Sequence, residues 1–273
     1  MPFVYTSDGT ALHVRDMGRG RPVILIHGWP LNGDMWSFQI PALLDAGYRV
    51  ITYDRRGFGL SDHAATGYDY DTLSDDLDAI VKELNLRDAT LIGFSMGGGE
   101  VARYIARHGH DRIKQAGFIG AVPPFLLKTK DNPDGIDSEI FEEIKTQIRI
   151  DRFAFLRSFA PTFYGQKEAG DDVSNGVLDW TFLMASQASP VATLACVDAW
   201  SKTDFRPDLA SLKIPSIVVH GAADETVPVT VSGRLTAQAL SKSTYKEYDG
   251  AGHGLFVTFA HRLNQDLLSF LKG

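Results

Sequence analysis

A short apolar run, Leu91-Ile92-Gly93-Phe94, breaks off into Ser95-Met96-Gly97-Gly98-Gly99-Glu100, and no other stretch restricts the chain as tightly. It reads as strand, tight turn, helix. Gly93 and Gly97 stand two residues either side of Ser95, where side chains would collide if a strand folds straight back into a helix around a strained serine. Such a turn holds one hydroxyl out at the end of a sheet. Taken alone, the G-x-S-x-G spacing fits a nucleophile turn and equally a tight connection without chemistry, because glycine and serine are common.

The rest of the chain supplies the sheet. Residues 3–6 and 11–16 flank Ser7-Asp8-Gly9-Thr10, an Asp-Gly hairpin signal that predicts an antiparallel start. Residues 22–26 are a continuous apolar and β-branched run, the pattern of a strand buried on both faces of a parallel sheet; 49–53 repeat the signal, and 89–94 and 113–119 read as further strands. Helical patterns alternate with them at 36–46, 70–84 and 96–108, the second with Leu73, Leu77, Ile80, Val81 and Leu84 on one face. The alternation predicts βαβ units and helices on both sides of the sheet. It breaks between 123 and 205, where only helical patterns occur, at 138–150, 152–159, 173–188 and 191–201. Strands then resume at 215–219 and 244–248, and an amphipathic helix over 261–271 ends the chain. The expected organisation is an α/β core from residues 1–122 and 206–273 with a helical cap inserted at 123–205.

Composition removes several function classes. A net charge of −7 without a basic cluster gives no phosphate-backbone footprint, so nucleic acid is not expected as a partner. Cys196 is the only cysteine, which excludes an internal disulfide and a zinc site built from several cysteines of one chain. The N-terminus lacks a basic start followed by an apolar stretch, and no segment is apolar for long enough to cross a bilayer. No membrane association is expected, and a soluble cytoplasmic protein is the default.

A serine hydroxyl is a weak nucleophile, so chemistry at Ser95 needs a base and an acid that orients it. In doubly wound hydrolases the order is Ser, then acid, then His, with the last two on loops after later strands. The strand at 215–219 runs into His220-Gly221-Ala222-Ala223-Asp224-Glu225-Thr226-Val227-Pro228, and that at 244–248 into Asp249-Gly250-Ala251-Gly252-His253-Gly254. Both loops leave the C-terminal ends of their strands, the edge where open α/β sheets bind ligands. Glu225 and Asp249 compete with Asp224 as the acid, and position just past Gly221 favours Asp224.

With His27-Gly28-Trp29, Asp54-Arg55-Arg56-Gly57-Phe58-Gly59-Leu60-Ser61, the Gly93–Gly99 turn, Asp224 and Gly252-His253-Gly254, the chain resembles the α/β-hydrolase fold family along essentially its whole length. Trp29 and Met96 make it similar to the bacterial cofactor-free haloperoxidase and aryl-esterase branch. The resemblance implies Ser95 as nucleophile, His253 as general base and then acid, and Asp224 as its orienter. It also implies no metal or other cofactor and a homo-oligomer. Oxyanion donors are expected from the backbone N–H after the nucleophile, Met96, and from the loop after an early strand. There Pro30 has no N–H to give, and the resemblance selects Trp29. His27, Asp54 and Arg55 are expected to brace loops.

Aromatic and apolar cap residues, Phe125, Leu126, Phe141, Phe155, Phe159, Phe163 and Trp180, would form a dry pocket over Ser95. Pro30, Val122, Leu126, Phe159, Phe163 and Thr226 are its expected lining, with Phe159 and Phe163 four apart on one helical face. Pro30 restricts the residue before it and so is expected to orient the Trp29 carbonyl toward hydrogen peroxide or a peracid, the alternative being that it only stiffens the loop. The sequence therefore points to a serine carboxylesterase for small ester substrates with perhydrolysis at the same site. A lactonase or γ-lactamase would use the same three residues, and an idle receptor for a hydrophobic ligand is the alternative of another class. Haloalkane dehalogenation is disfavoured, since Ser95 stands where that chemistry needs a carboxylate.

Overall fold

The computed structural model describes residues 2–165 and 173–273. In chain order these form β1 (Phe3–Tyr5), β2 (Ala11–Met17), β3 (Pro22–Ile26), a 3-10 turn at Gly33–Phe38, α1 (Ile40–Asp45), β4 (Arg49–Tyr53), α2 (Tyr70–Glu83), β5 (Ala89–Phe94), α3 (Met96–His108) and β6 (Ile113–Ile119). Helices follow: α4 (Ser138–Phe163), α5 (Asn175–Ser186), α6 (Pro190–Lys202) and α7 (Arg206–Ser211). The sheet then resumes with β7 (Ser216–Gly221), α8 (Gly233–Ala239), β8 (Ser243–Tyr248), α9 (Leu255–Thr258) and α10 (Ala260–Lys272). One eight-stranded sheet runs β1-β2-β4-β3-β5-β6-β7-β8. β1, β2 and β4 pair antiparallel, and every later pairing is parallel.

The continuous apolar runs are explained by two cores. Side chains alternate across a strand, so Ile24 and Ile26 of β3 enter the core shared with α2 and α3, while Val23 and Leu25 enter the one shared with α1 and α10. All four are fully buried, and each contributes about 1.5–3 kcal/mol of transfer free energy. Among the described residues no helix is long and apolar enough to cross a membrane.

Two expected helices take other forms. The single helix expected at 36–46 is split, because Pro41 lacks the N–H to continue the ladder, and the Gln39 N–H instead reaches Trp36 O at 2.8 Å. The patterns at 138–150 and 152–159 join as one run to Phe163, broken only where Asp151 leaves helical geometry (φ −155°, ψ 94°). Its carboxylate accepts from the Phe153 and Ala154 N–H groups, both at 3.0 Å, and so caps the second half. The short α7, α8 and α9 were not expected, since six, seven and four residues carry too little periodicity to see.

Behind the β5–α3 turn lies a buried ion pair. Arg55, after β4, meets Glu100, on α3, at 2.7 Å, and both side chains are wholly inaccessible. Tyr53 Oη donates to the other carboxylate oxygen of Glu100, and Arg55 Nη2 donates to His27 O at 2.8 Å. Desolvation works against the charge on each partner, and the bond between them works for it. Removing one partner strands the other. Glu100→Gln is accordingly expected to lower unfolding stability by about 3–5 kcal/mol, read as a reduced urea midpoint at constant slope. A loss under about 1 kcal/mol would mean that Glu100 is not held as a carboxylate against Arg55.

Candidate active site

β5 delivers Ser95 at the C-terminal edge of the sheet. Its backbone sits at φ 53°, ψ −119°, a region that costs a non-glycine residue about 1–3 kcal/mol. The strain is held by neighbours: Ser95 N–H donates to Ile119 O at 2.9 Å, and Ser95 O accepts from Gly98 and Val122 N–H at 3.0 and 3.2 Å. A Cβ on Gly93 would lie 2.2 Å from Gly97 O, and one on Gly97 would lie 2.6 Å from Ile26 O. Both glycines are therefore required for strand and helix to meet around the serine.

Three loops converge on the hydroxyl. Ser95 Oγ lies 2.9 Å from His253 Nε2, and His253 Nδ1 lies 2.6 Å from Asp224 Oδ2. All three residues are buried. The imidazole is clamped between rings, 4.7 Å from Phe94 and edge-on to Phe163 at 5.1 Å. Asp224 Oδ1 accepts from Thr226 and Val227 N–H at 2.9 and 2.8 Å, and His220 Nε2 stands 3.3 Å from Oδ2. Burial would raise the Asp224 carboxyl, but the charges and hydrogen bonds of His253 and His220 outweigh it and hold the group well below the usual carboxylate range. Glu225 is exposed, although it borders the cavity described below, and Asp249 is exposed on the loop before His253.

The other polar residues of these loops are braces. His27 Nδ1 lies 2.8 Å from Gly28 O, and Nε2 accepts the Arg55 backbone N–H at 2.9 Å. Burial first, and the Arg55 charge second, keep this imidazole far below its ordinary value. Asp54 accepts from Gly33 and Leu60 N–H at 2.8 and 2.9 Å.

Trp29 follows β3, and its peptide to Pro30 is cis. Among the described residues its backbone N–H and that of Met96 have no protein acceptor, and the Trp29 carbonyl has no donor. The Trp29 indole is paired, donating to Thr193 O at 3.0 Å.

A cavity of about 270 Å³ opens over Ser95 and His253. Of the expected lining, Val122, Phe159 and Thr226 face it, together with Trp29. Three expected residues do not. Leu126 is packed into the sheet core, 1% exposed. Pro30 and Phe163 border a separate small cavity behind Phe159, and Phe163 spends its ring on His253 instead. The pair of four-apart aromatics facing the main cavity is Phe155 and Phe159, nearly parallel at 14° and 5.8 Å apart. Trp180 packs on Phe38. The expected list missed Ile136, Ile140, Ile144 and Trp200. The isoleucines recur four apart and were legible as one stripe; Trp200 sits on α6, which is apolar nearly all round and announces no single inner face.

Comparison with known proteins finds relatives along the whole chain. A family model described as alpha/beta hydrolase fold matches residues 21–260. A non-heme chloroperoxidase of Kitasatospora aureofaciens is 43% identical over 274 residues, covering 100% of both chains. A bifunctional esterase/perhydrolase of Acinetobacter calcoaceticus is 38% identical over 276 residues, again covering 100% of both. Among solved structures, a bromoperoxidase from Bacillus anthracis superposes with a TM-score of 0.96 at 46% identity, covering 99% of each chain.

Proposed function

We propose that this chain, which belongs to the α/β hydrolase fold family and is an enzyme closely related to bacterial non-heme haloperoxidases and esterases, hydrolyses small esters through an acyl-enzyme on Ser95. The unbroken hydrogen-bond chain from Ser95 Oγ through His253 to Asp224 carries the reading. His253 Nε2 takes the hydroxyl proton as Oγ attacks the ester carbonyl. The oxyanion forms within reach of the acceptor-free N–H groups of Trp29 and Met96, each contributing about 3 kcal/mol to the transition state. His253 returns the proton to the departing alkoxide. Water, deprotonated by the same nitrogen, then releases the carboxylic acid and restores Ser95.

Hydrogen peroxide in place of water releases a peracid from the same acyl-enzyme, and a peracid oxidises halide without further help from the protein. The names of the relatives support this second outcome. The Trp29 carbonyl, without a donor of its own, supplies an acceptor for the peroxide O–H. Pro30→Leu is expected to change the ratio of peracid formation to ester hydrolysis by about tenfold, the worth of one hydrogen bond. The ratio is read by monitoring acetate plus peroxide against p-nitrophenyl acetate. An unchanged ratio would remove Pro30 and the Trp29 carbonyl from the account.

An activity panel of acetate, butyrate and phenyl esters, run on wild type and Ser95→Ala, tests the main reading. Wild type that cleaves none of them would end it.

A further inference from the structure

The loop that carries Asp224 wraps around a second buried imidazole. His220, near the end of β7, is wholly shielded from solvent. Its Nε2 lies 2.8 Å from Val227 O and 3.3 Å from Asp224 Oδ2. A carbonyl oxygen only accepts, so the ring hydrogen sits on Nε2 and points into the loop. On the other side of the ring Gly233 makes the room, since a Cβ there would lie 2.5 Å from Nδ1. The imidazole is thus fixed between a strand, a loop and the start of α8.

The carboxylate oxygen it meets is the one that faces the proposed base. Asp224 Oδ1 is held by the Thr226 and Val227 N–H groups, whereas Oδ2 lies 2.6 Å from His253 Nδ1. Among the described residues, His220 and His253 are the side chains that bring a nitrogen to this carboxylate. In the proposed mechanism His253 changes charge twice in each turnover, so His220 is the partner of Oδ2 that stays constant. His27 is a contrast: equally buried, it spends both ring nitrogens on backbone groups, Gly28 O and the Arg55 N–H.

Resting on the esterase reading, we propose that His220 is a positioning residue for the Ser95 reaction, its Nε2–H holding the Asp224 carboxylate so that Oδ2 stays on His253 Nδ1 while His253 takes up and returns the Ser95 proton. No proton passes to or from His220. It acts through Asp224, and its loss slows acylation and deacylation alike, because both use the same imidazole. The effect therefore falls on kcat and leaves KM unchanged.

The test measures kcat and KM for p-nitrophenyl acetate, and the rate of fluorophosphonate labelling of Ser95, in wild type, His220→Leu and His220→Gln, with the fold of each checked by circular dichroism. His220→Leu is expected to lower kcat and the labelling rate about tenfold to a hundredfold, the worth of a hydrogen bond to a charged group. His220→Gln, whose amide N–H reaches toward the same two oxygens, is expected to recover most of that loss. Acting through the carboxylate has a further signature: in an Asp224→Asn background, followed with enzyme in excess, His220→Leu is expected to cost no more than about twofold. A residue that only braces the loop costs the same factor in both backgrounds, because independent effects add. His220→Asn, too short to reach either oxygen, replaces His220→Leu if that variant does not fold, and loss of the fold in both would make His220 a structural residue and overturn the assignment. Wild-type kcat in His220→Leu, a His220→Gln no faster than His220→Leu, or equal losses in the two backgrounds would overturn it too, each leaving the esterase reading intact. Wild type that neither takes the label nor cleaves the ester overturns both.

Discussion

Replacing Ser95 with alanine is expected to lower ester hydrolysis by about a millionfold, the loss seen when the nucleophile of such a constellation is removed. The magnitude follows from the proposed mechanism. Without Oγ no acyl-enzyme forms, and what remains is general-base attack by water helped by the Trp29 and Met96 donors. Binding and the oxyanion site alone leave about 10³–10⁴-fold acceleration over water. Fluorophosphonate labelling gives an independent readout: wild type should gain the label on Ser95, and Ser95→Ala should not. A variant that keeps more than about a hundredth of wild-type kcat would show that another group attacks. Relief of the φ 53° strain is not expected from this change, since alanine carries the same Cβ into the same backbone.

Asp224→Asn should cost about ten-thousandfold in kcat with little loss of fold. In the proposed mechanism the carboxylate, 2.6 Å from His253 Nδ1, accepts its N–H, which leaves Nε2 free to take the proton of Ser95. An amide turned to donate toward Nδ1 would favour the opposite tautomer, with Nε2 already protonated and useless as a base. The pH behaviour follows from the depressed carboxyl. A group whose folded value lies below its unfolded one, ~3.9, stabilises the protein above that pH and loses its contribution as pH falls toward the folded value. Asp224 therefore stays ionised throughout the working range. An Asp224→Asn variant whose kcat stayed within about tenfold of wild type would refute the orienting role.

The sheet and the three converging loops were legible because they rest on local rules. Parallel central strands must be apolar on both faces, so β3 and β5 read directly as runs, whereas β6 carries Lys114 and Gln115 near its start. Glycines flank Ser95 because nothing larger fits, and that too is local. The cavity wall was legible only in part. Phe155, Phe159 and Phe163 share one helix, and spacing alone does not tell which turn faces Ser95. The outcome depends on how α4 crosses His253, a contact between residues 90 or more apart in sequence. Leu126 was misplaced for the same reason: an apolar residue just after a strand satisfies a core and a pocket equally well. The contact of His220 with Asp224 has no sequence signature, because it depends on how the loop after β7 folds back.

The histidine loop and the end of α4 are in direct contact. Gly254 N–H donates to Phe163 O at 2.7 Å. A Cβ on Gly254 would strike the Tyr164 ring at 2.2 Å, and one on Gly252 would come within 2.8 Å of the Gly165 backbone nitrogen. Anyone transplanting the segment between β6 and β7 to alter selectivity would thus be exchanging part of the bearing on which the proposed base, His253, is mounted. A graft that keeps residues 160–165 with their native host and replaces only the chain around Ile136–Phe155 separates the choice of substrate from the alignment of the proton relay.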